Sequence, residues 1–168
     1  MIDQALASDE PGLCRITIAS PLGSLTIGER DGAIVSLGWR TGRPTGKTPL
    51  LRRAAEQLAE YFAGQRRRFD LPLAPRGTPF QQSVWRHMAN IPYGSVTTYG
   101  DLAHRVGSAP RAVGGACGRN PIAILLPCHR VVAGSGALTG YSGGAGVDTK
   151  QYLLELEGAL TPGLRVSA

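Results

Sequence analysis

The stretch AILLPCHRVV, residues 123–132, holds the side chain best suited to nucleophilic chemistry. Cys128 lies between Pro127 and His129, with Arg130 following. A thiol reacts as its thiolate; apolar neighbours raise its pKa and a nearby imidazole lowers it. Side chains adjacent in sequence usually diverge, so a Cys-His pair by itself suits an inert core cysteine as well as a catalytic one. The company it keeps favours chemistry. Asn120, His129, Arg130 and Tyr141 flank the thiol, and the glycine-rich GYSGGAG, 140–146, follows. Glycines there let backbone N–H groups approach a ligand. Glu157 is a candidate to orient His129 if the fold brings the two together, which spacing alone leaves open. Cys14, Cys117 and Cys128 cannot all pair, and no CxxC or clustered Cys/His spacing points to a metal. Reduced thiols, no metal and no cofactor are expected.

The elements that carry these residues fall into two halves. Residues 14–38 alternate partially in CRITIA, SLTIG and AIVSLGW, with SPLG and RDG as turns, and so predict a β-meander. RTGRPTGKTP has no periodicity. Leu51, Ala54, Ala55, Leu58, Tyr61 and Phe62 share one face of a helix over 50–63, with Pro49 in its first turn and Gly64 at its stop. RRRFDLPLAPRG reads as a linker, which places domains at 1–75 and 76–168. The fold class expected is α+β: a small antiparallel sheet with a helix, then a mostly helical domain.

That second domain opens on a capping box, Thr78 to Gln81, with Pro79 at the first helical position. Phe80, Val84, Met88 and Ile91 form its stripe, and Pro92 ends it. Thr98 caps a second helix, YGDLAHRV, which stops at Gly107. Ser108 is the predicted cap of a third, APRAVGGACG, which ends before Asn120-Pro121 because a residue preceding proline leaves the α region. Two short helices joined by a tight turn form a helix-turn-helix pattern, a weak signal alone. A last helix, DTKQYLLELEG, takes Asp148 as its predicted cap and Gly158 just past its end.

The third helix is unusual. Ala112, Gly114, Gly115, Ala116 and Gly118 leave it nearly bare, although glycine costs about 1 kcal/mol in a helix interior. Close packing against another helix and close approach to a nucleic-acid backbone explain this equally well. Arg111 in the first turn opposes the helix dipole, which an external anion or a base step would account for.

The chain has 168 residues, a net charge of +6 and a balance of apolar and charged residues typical of globular proteins. Residues 76–134 hold six arginines against Asp101 alone. A positive field over one portion is the footprint of a nucleic-acid binder, and a solvated basic surface is the plainer alternative. No apolar run is long enough to span a bilayer. The start, with Asp3, Asp9 and Glu10, is unlike a signal peptide, so a cytoplasmic protein is expected.

The ordered block FQQSVW, IPYGSVTTYGDLA, RAVGGACGRNPIAILLPCHRVV, GSGALTGYSGG and KQYLLELEG resembles the O6-alkylguanine-DNA alkyltransferase family across residues 80–158. LAEYFAGQ in the first half is similar more weakly. The resemblance implies a helix-turn-helix that enters the minor groove, where Ala112, Gly114, Gly115 and Ala116 permit close approach. It implies that Arg111 fills the space of an extruded nucleotide and that Arg119 contacts phosphate. Cys128 then corresponds to the alkyl acceptor. His129 removes its proton through a water, Glu157 holds His129, and Asn120 braces the turn beside the thiol.

Tyr99, with a backbone N–H near Ser142, would stabilise the departing base. Carbonyls at Cys128 and Val131 would accept from its exocyclic amine, Tyr141 would line the alkyl pocket, and Lys150 would support Tyr99. Flipping is required because a stacked base cannot meet a buried thiol in line. The product is an S-alkyl cysteine, and with no second nucleophile each molecule acts once. The partner implied is double-stranded DNA carrying alkylated guanine, met by a monomer, with O4-alkylthymine and cooperative assembly left open. Two other readings compete: a lesion-binding alkyltransferase-like protein without transfer, which the presence of Cys128 opposes, and a thiol hydrolase. His87 and His104 are read as surface groups, Cys14 and Cys117 as packing residues. Arg66, Arg67 and Arg68 are read as a solvated linker.

Overall fold

The structure, a computed structural model, describes residues 10–40 and 42–160. The acidic positions Asp3 and Asp9 lie outside the described residues. The chain divides into two compact units, Met1–Ala74 and Pro75–Ala168. The fold class is α+β, as expected from the sequence.

In the first unit, β1 (Cys14–Ile18), β2 (Leu25–Arg30) and β3 (Ala33–Gly38) form an antiparallel sheet in that order. The Asp31-Gly32 turn holds φ at 51° and 78°, the pair of left-handed residues that a tight hairpin demands. Leu25, Ile27, Ile34 and Leu37 point to the core, where α1 (Pro49–Phe62) contributes Leu51, Ala54, Leu58 and Tyr61. Thr48 caps α1 by accepting from the Leu51 N–H at 3.1 Å.

The segment read as a linker is instead tied down. Ile34 N–H donates to Pro72 O and Ala74 N–H to Ile34 O, both at 2.8 Å, so Leu73 bridges β3 in parallel. Gln57 clamps Asp70, donating to its carbonyl at 3.2 Å and accepting from its N–H at 2.9 Å. Pro72 gives the segment the look of a linker because proline cannot donate to a sheet, yet its carbonyl still accepts. Arg66 pairs with Glu60 at 3.0 Å.

In the second unit, α2 (Pro79–Ala89) opens with both halves of its capping box in place: Gln81 N–H to Thr78 Oγ1 at 3.1 Å and Thr78 N–H to Gln81 Oε1 at 3.0 Å. A two-residue strand, β4 (Thr97–Thr98), leads into α3 (Tyr99–Val106), which Thr98 caps and Gly107 stops at φ 69°. After Ser108 and Ala109 comes α4 (Pro110–Gly118), completing the helix-turn-helix. Its cap is Ala109, not Ser108, and makes no side-chain bond. Pro110 drives the residue before it into extended backbone, φ −103° and ψ 151°, so the boundary falls one position later than predicted.

β5 (Val131–Val132) pairs in parallel with β4, Thr97 against Val131 and Thr98 against Val132. Strands of two residues carry no periodicity, and the sequence gives no hint of the pairing. The last helix, α5 (Val147–Leu156), is capped by Gly146, and Asp148 sits inside its first turn instead of at the cap. Ala145 N–H reaches Thr149 Oγ1 at 2.9 Å, which closes that end. Gly158, at φ 74°, follows the cap residue Glu157.

Trp85 links α2 to α4: its indole N–H donates to Ala116 O at 2.9 Å. Cys117 packs beside Met88, sulfur to sulfur 3.6 Å, in the same layer. A Cβ at Gly77 would stand 2.4 Å from the Trp85 ring and 2.6 Å from Gln81 Oε1. Trp85 is buried and cannot swing aside, so Gly77→Ala should lower stability by about 1–3 kcal/mol. A fall in the urea midpoint measures it; an unchanged midpoint would show that the ring has room to move.

Candidate active site

Cys128 begins a single 3-10 turn, Cys128–Arg130, and is 8% exposed. The chain reaches it by folding back on itself. Leu126 N–H donates to Ile122 O at 3.0 Å and Cys128 N–H to Leu126 O at 2.8 Å. Asn120 holds both ends of this turn, donating through Nδ2 to Leu126 O at 2.7 Å and accepting from Ile122 N–H at 3.0 Å. Ile124 stands at φ 72°, a region that β-branched residues avoid. Strain of about 1–3 kcal/mol persists there because the surrounding bonds over-determine the turn.

His129 is fully buried, and its Nε2 lies 2.7 Å from Glu157 Oε1. Burial raises the Glu157 carboxyl, but hydrogen bonds from His129 and Arg130, with their charges, outweigh it and bring it from 4.5 to about 2. An ionised carboxylate only accepts, so Nε2 carries the imidazole proton. Burial lowers the His129 pKa below 6.5, with Glu157 opposing and the charges of Arg130 and Lys150 assisting. The neutral ring therefore bears its lone pair on Nδ1, which has no protein partner among the described residues. Burial pushes the Cys128 thiol up, while the Asn120 amide and the Lys150 charge work against it. The thiol is masked at rest, with a free base on the neighbouring residue.

A second cluster surrounds Lys150, itself buried on α5. Its Nζ donates to Val131 O at 2.6 Å, to Thr139 O at 3.0 Å and to Tyr99 Oη at 3.4 Å. Tyr99 donates to the same Thr139 carbonyl at 3.0 Å. Burial first, then negative charge on the two nearby thiols, pushes the Tyr99 hydroxyl up to about 12. Burial and the Cys128 charge likewise raise Tyr141. Gly140 leaves room for Tyr99, since a Cβ there would come within 3.1 Å of the hydroxyl. Ser142 is exposed on the glycine-rich loop that follows.

The face of α4 is open. Arg111, Ala112, Gly115, Gly118 and Arg119 are exposed, and a Cβ at Gly114, Gly115 or Gly118 would meet nothing within 4 Å. Helix packing within this unit therefore does not account for the glycines. Arg130, which the sequence places beside the thiol without a role or a partner, proves central. It is 7% exposed, with Nε 2.8 Å from Glu157 Oε2 and a terminal nitrogen 2.9 Å from Oε1. Its other terminal nitrogen donates to Ile91 O at 2.7 Å. The signal was available: an arginine inside ILLPCHRVV is destined for burial, and a buried charge needs a partner. Among the described residues no group of three or more His, Cys, Asp or Glu is arranged to hold a metal ion. No described helix is long and apolar enough to cross a membrane.

Fold and site together define a protein that carries a buried thiol and an oriented imidazole on one turn, and a helix-turn-helix with a bare, basic-flanked face. The chain belongs to the 6-O-methylguanine DNA methyltransferase family: residues 79–159 match its DNA binding domain and residues 13–75 its ribonuclease-like domain. It is 48% identical over 155 residues to the methylated-DNA–protein-cysteine methyltransferase of Mycolicibacterium paratuberculosis, covering 87% of this chain and 93% of that protein. A crystal structure of the Mycobacterium tuberculosis O6-methylguanine methyltransferase matches with a TM-score of 0.75 at 41% identity, covering 90% and 96% of the two chains. A crystal structure of Mycobacterium tuberculosis OGT in complex with DNA matches with a TM-score of 0.74 at 44% identity, covering 88% and 94%.

The site couples protonation to stability with a definite sign. Folding depresses the proton affinity of both His129 and Glu157, so the unfolded chain binds more protons and acid destabilises the fold. The loss should begin as pH falls below 6.5 for His129 and continue from 4.5 towards about 2 for Glu157. Glu157→Gln strands Arg130 without its counter-charge and should cost about 3–5 kcal/mol at neutral pH, with a flatter stability profile in acid. Urea titrations of both proteins at several pH values test this; parallel profiles would count against it.

Proposed function

We propose that this protein reverses DNA alkylation directly, moving the alkyl group from O6 of guanine in double-stranded DNA to Cys128 in a single, irreversible turnover. The observation that carries the reading is the bare Nδ1 of His129. It is a neutral base whose other nitrogen is locked on Glu157, one residue from a buried thiol. This is the activation logic of a thiol nucleophile with an oriented imidazole.

In the reaction Nδ1 of His129 takes the proton of Cys128, through a bridging water. The sulfur attacks the alkyl carbon in line, the carbon–O6 bond breaks, and its electron pair leaves with the guanine. Tyr99 and a backbone N–H near Ser142 donate to the departing base, and carbonyls at Cys128 and Val131 accept from its exocyclic amine. Lys150 already holds Tyr99 and Val131 in register, which suits that role. Tyr141 lines the alkyl pocket. Asn120 keeps the thiol at its place on the turn.

The open face of α4 supports approach to the minor groove, with Ala112, Gly114 and Gly115 against the backbone. Arg111 fills the stack behind the extruded nucleotide and Arg119 neutralises phosphate. A base pair weakened by O6 alkylation costs less to open, which adds lesion preference without any protein contact.

Mixing the protein with duplex DNA containing O6-methylguanine should yield one methyl group on Cys128 by mass spectrometry. Cys128→Ser should bind the DNA and acquire none; a variant that still gained the methyl group would refute the assignment. Repeated release of product beyond one equivalent would point to a hydrolase instead. Arg111→Ala should slow repair of duplex DNA far more than dealkylation of free O6-benzylguanine, and equal losses on both would remove its part in flipping.

A further inference from the structure

Glu157 carries more than the imidazole. Its Oε1 is shared by His129 Nε2 at 2.7 Å and an Arg130 terminal nitrogen at 2.9 Å, while Oε2 takes Arg130 Nε at 2.8 Å. A carboxylate held only by an imidazole could turn about its last side-chain bond. The planar fork of a guanidinium fixes its plane. The arginine is fixed in turn: Ile91 O accepts its remaining nitrogen at 2.7 Å, and the Tyr93 ring lies 5.8 Å from the guanidinium carbon. Tyr93 Oη donates to Leu156 O at 3.2 Å, and a Cβ at Gly94 would come within 3.1 Å of Glu157 O. The turn after α2 therefore closes on the end of α5 and holds both members of the ion pair.

Charge matters as much as geometry. The ionisable groups facing His129 are Glu157 and Lys150 of α5 and Arg130 and Cys128 of its own turn. An uncompensated carboxylate in a buried site would hold a proton on the imidazole, and Nδ1 would then have no lone pair to offer.

We propose that Arg130 is a positioning residue for transfer: it fixes the Glu157 carboxylate in the plane His129 requires and offsets its charge, so that His129 rests neutral with Nδ1 free. Arg130 does not touch the substrate. This rests on the transfer reading above. Nothing in it depends on how DNA is bound.

The experiment follows benzyl transfer from free O6-benzylguanine to Cys128 in the full chain, by mass spectrometry, from about pH 5 to about pH 9. Wild type, Arg130→Met and Arg130→Lys are compared, with circular dichroism and binding to undamaged duplex DNA reporting the fold. Arg130→Met should move the acid limb of the rate profile to higher pH and slow transfer at neutral pH roughly tenfold or more. Arg130→Lys keeps the charge and loses the fork; its acid limb should stay near that of wild type while its plateau rate falls. A folded Arg130→Met with the wild-type profile, or one slowed equally at every pH, would overturn the proposal. If Arg130→Met does not fold, Arg130→Lys decides, and a wild-type plateau there overturns it. Absence of any adduct on wild type would instead bring down the transfer reading itself.

Discussion

One buried carboxylate governs the second unit of this molecule. Placing the negative charge of Glu157 at 4% exposure is prohibitive without close donors, and the chain supplies them from two directions. His129 and Arg130 come from a single 3-10 turn, so the turn that presents the thiol also supplies the acid's donors and its counter-charge. The acid is placed by the end of α5, where Gly158 turns the chain away in a left-handed conformation. The turn after α2 supplies the carbonyl of Ile91 to the arginine. Remove the carboxylate and the buried arginine loses its counter-charge, although Tyr93 on Leu156 and Lys150 on Val131 still join these elements.

The face of α4 shows a different economy. Its glycines weaken the helix, and nothing in the same unit needs the space they leave. Trp85 compensates by donating to the carbonyl of Ala116, and Val113, Ala116 and Cys117 supply the buried side. The helix is thus held from behind and left bare in front. Stability is invested in one face so that the other can remain low.

Local rules were readable in the sequence where a short signal has one physical meaning. Asp31-Gly32 means a tight hairpin, Thr78 with Gln81 means a reciprocal cap, and Gly107 means a left-handed stop; all three stand in the structure. Two caps slipped, at Ser108 and Asp148, where a following proline and a glycine-rich approach set the boundary. Long-range pairing was not readable. Leu73 on β3, β4 against β5, and Arg130 on Ile91 all join residues far apart in the chain through backbone groups, which every residue carries and no sequence advertises. Cys128, His129, Asn120, Tyr99 and Lys150 could be named beforehand from the resemblance of a long motif. The fork that steadies Glu157 could not, because nothing in PCHR says which acid its arginine will find.

The carbonyl of Thr139 has two donors at 3.0 Å, one from Lys150 and one from Tyr99. An acceptor with two suitors loses little when one departs, since the other prevents it from being orphaned in a dry interior. The carbonyl of Thr139 would thus keep a partner in Lys150 even without the phenol. Lys150, fully buried, thereby ties α5 to the carbonyls of both Thr139 and Val131.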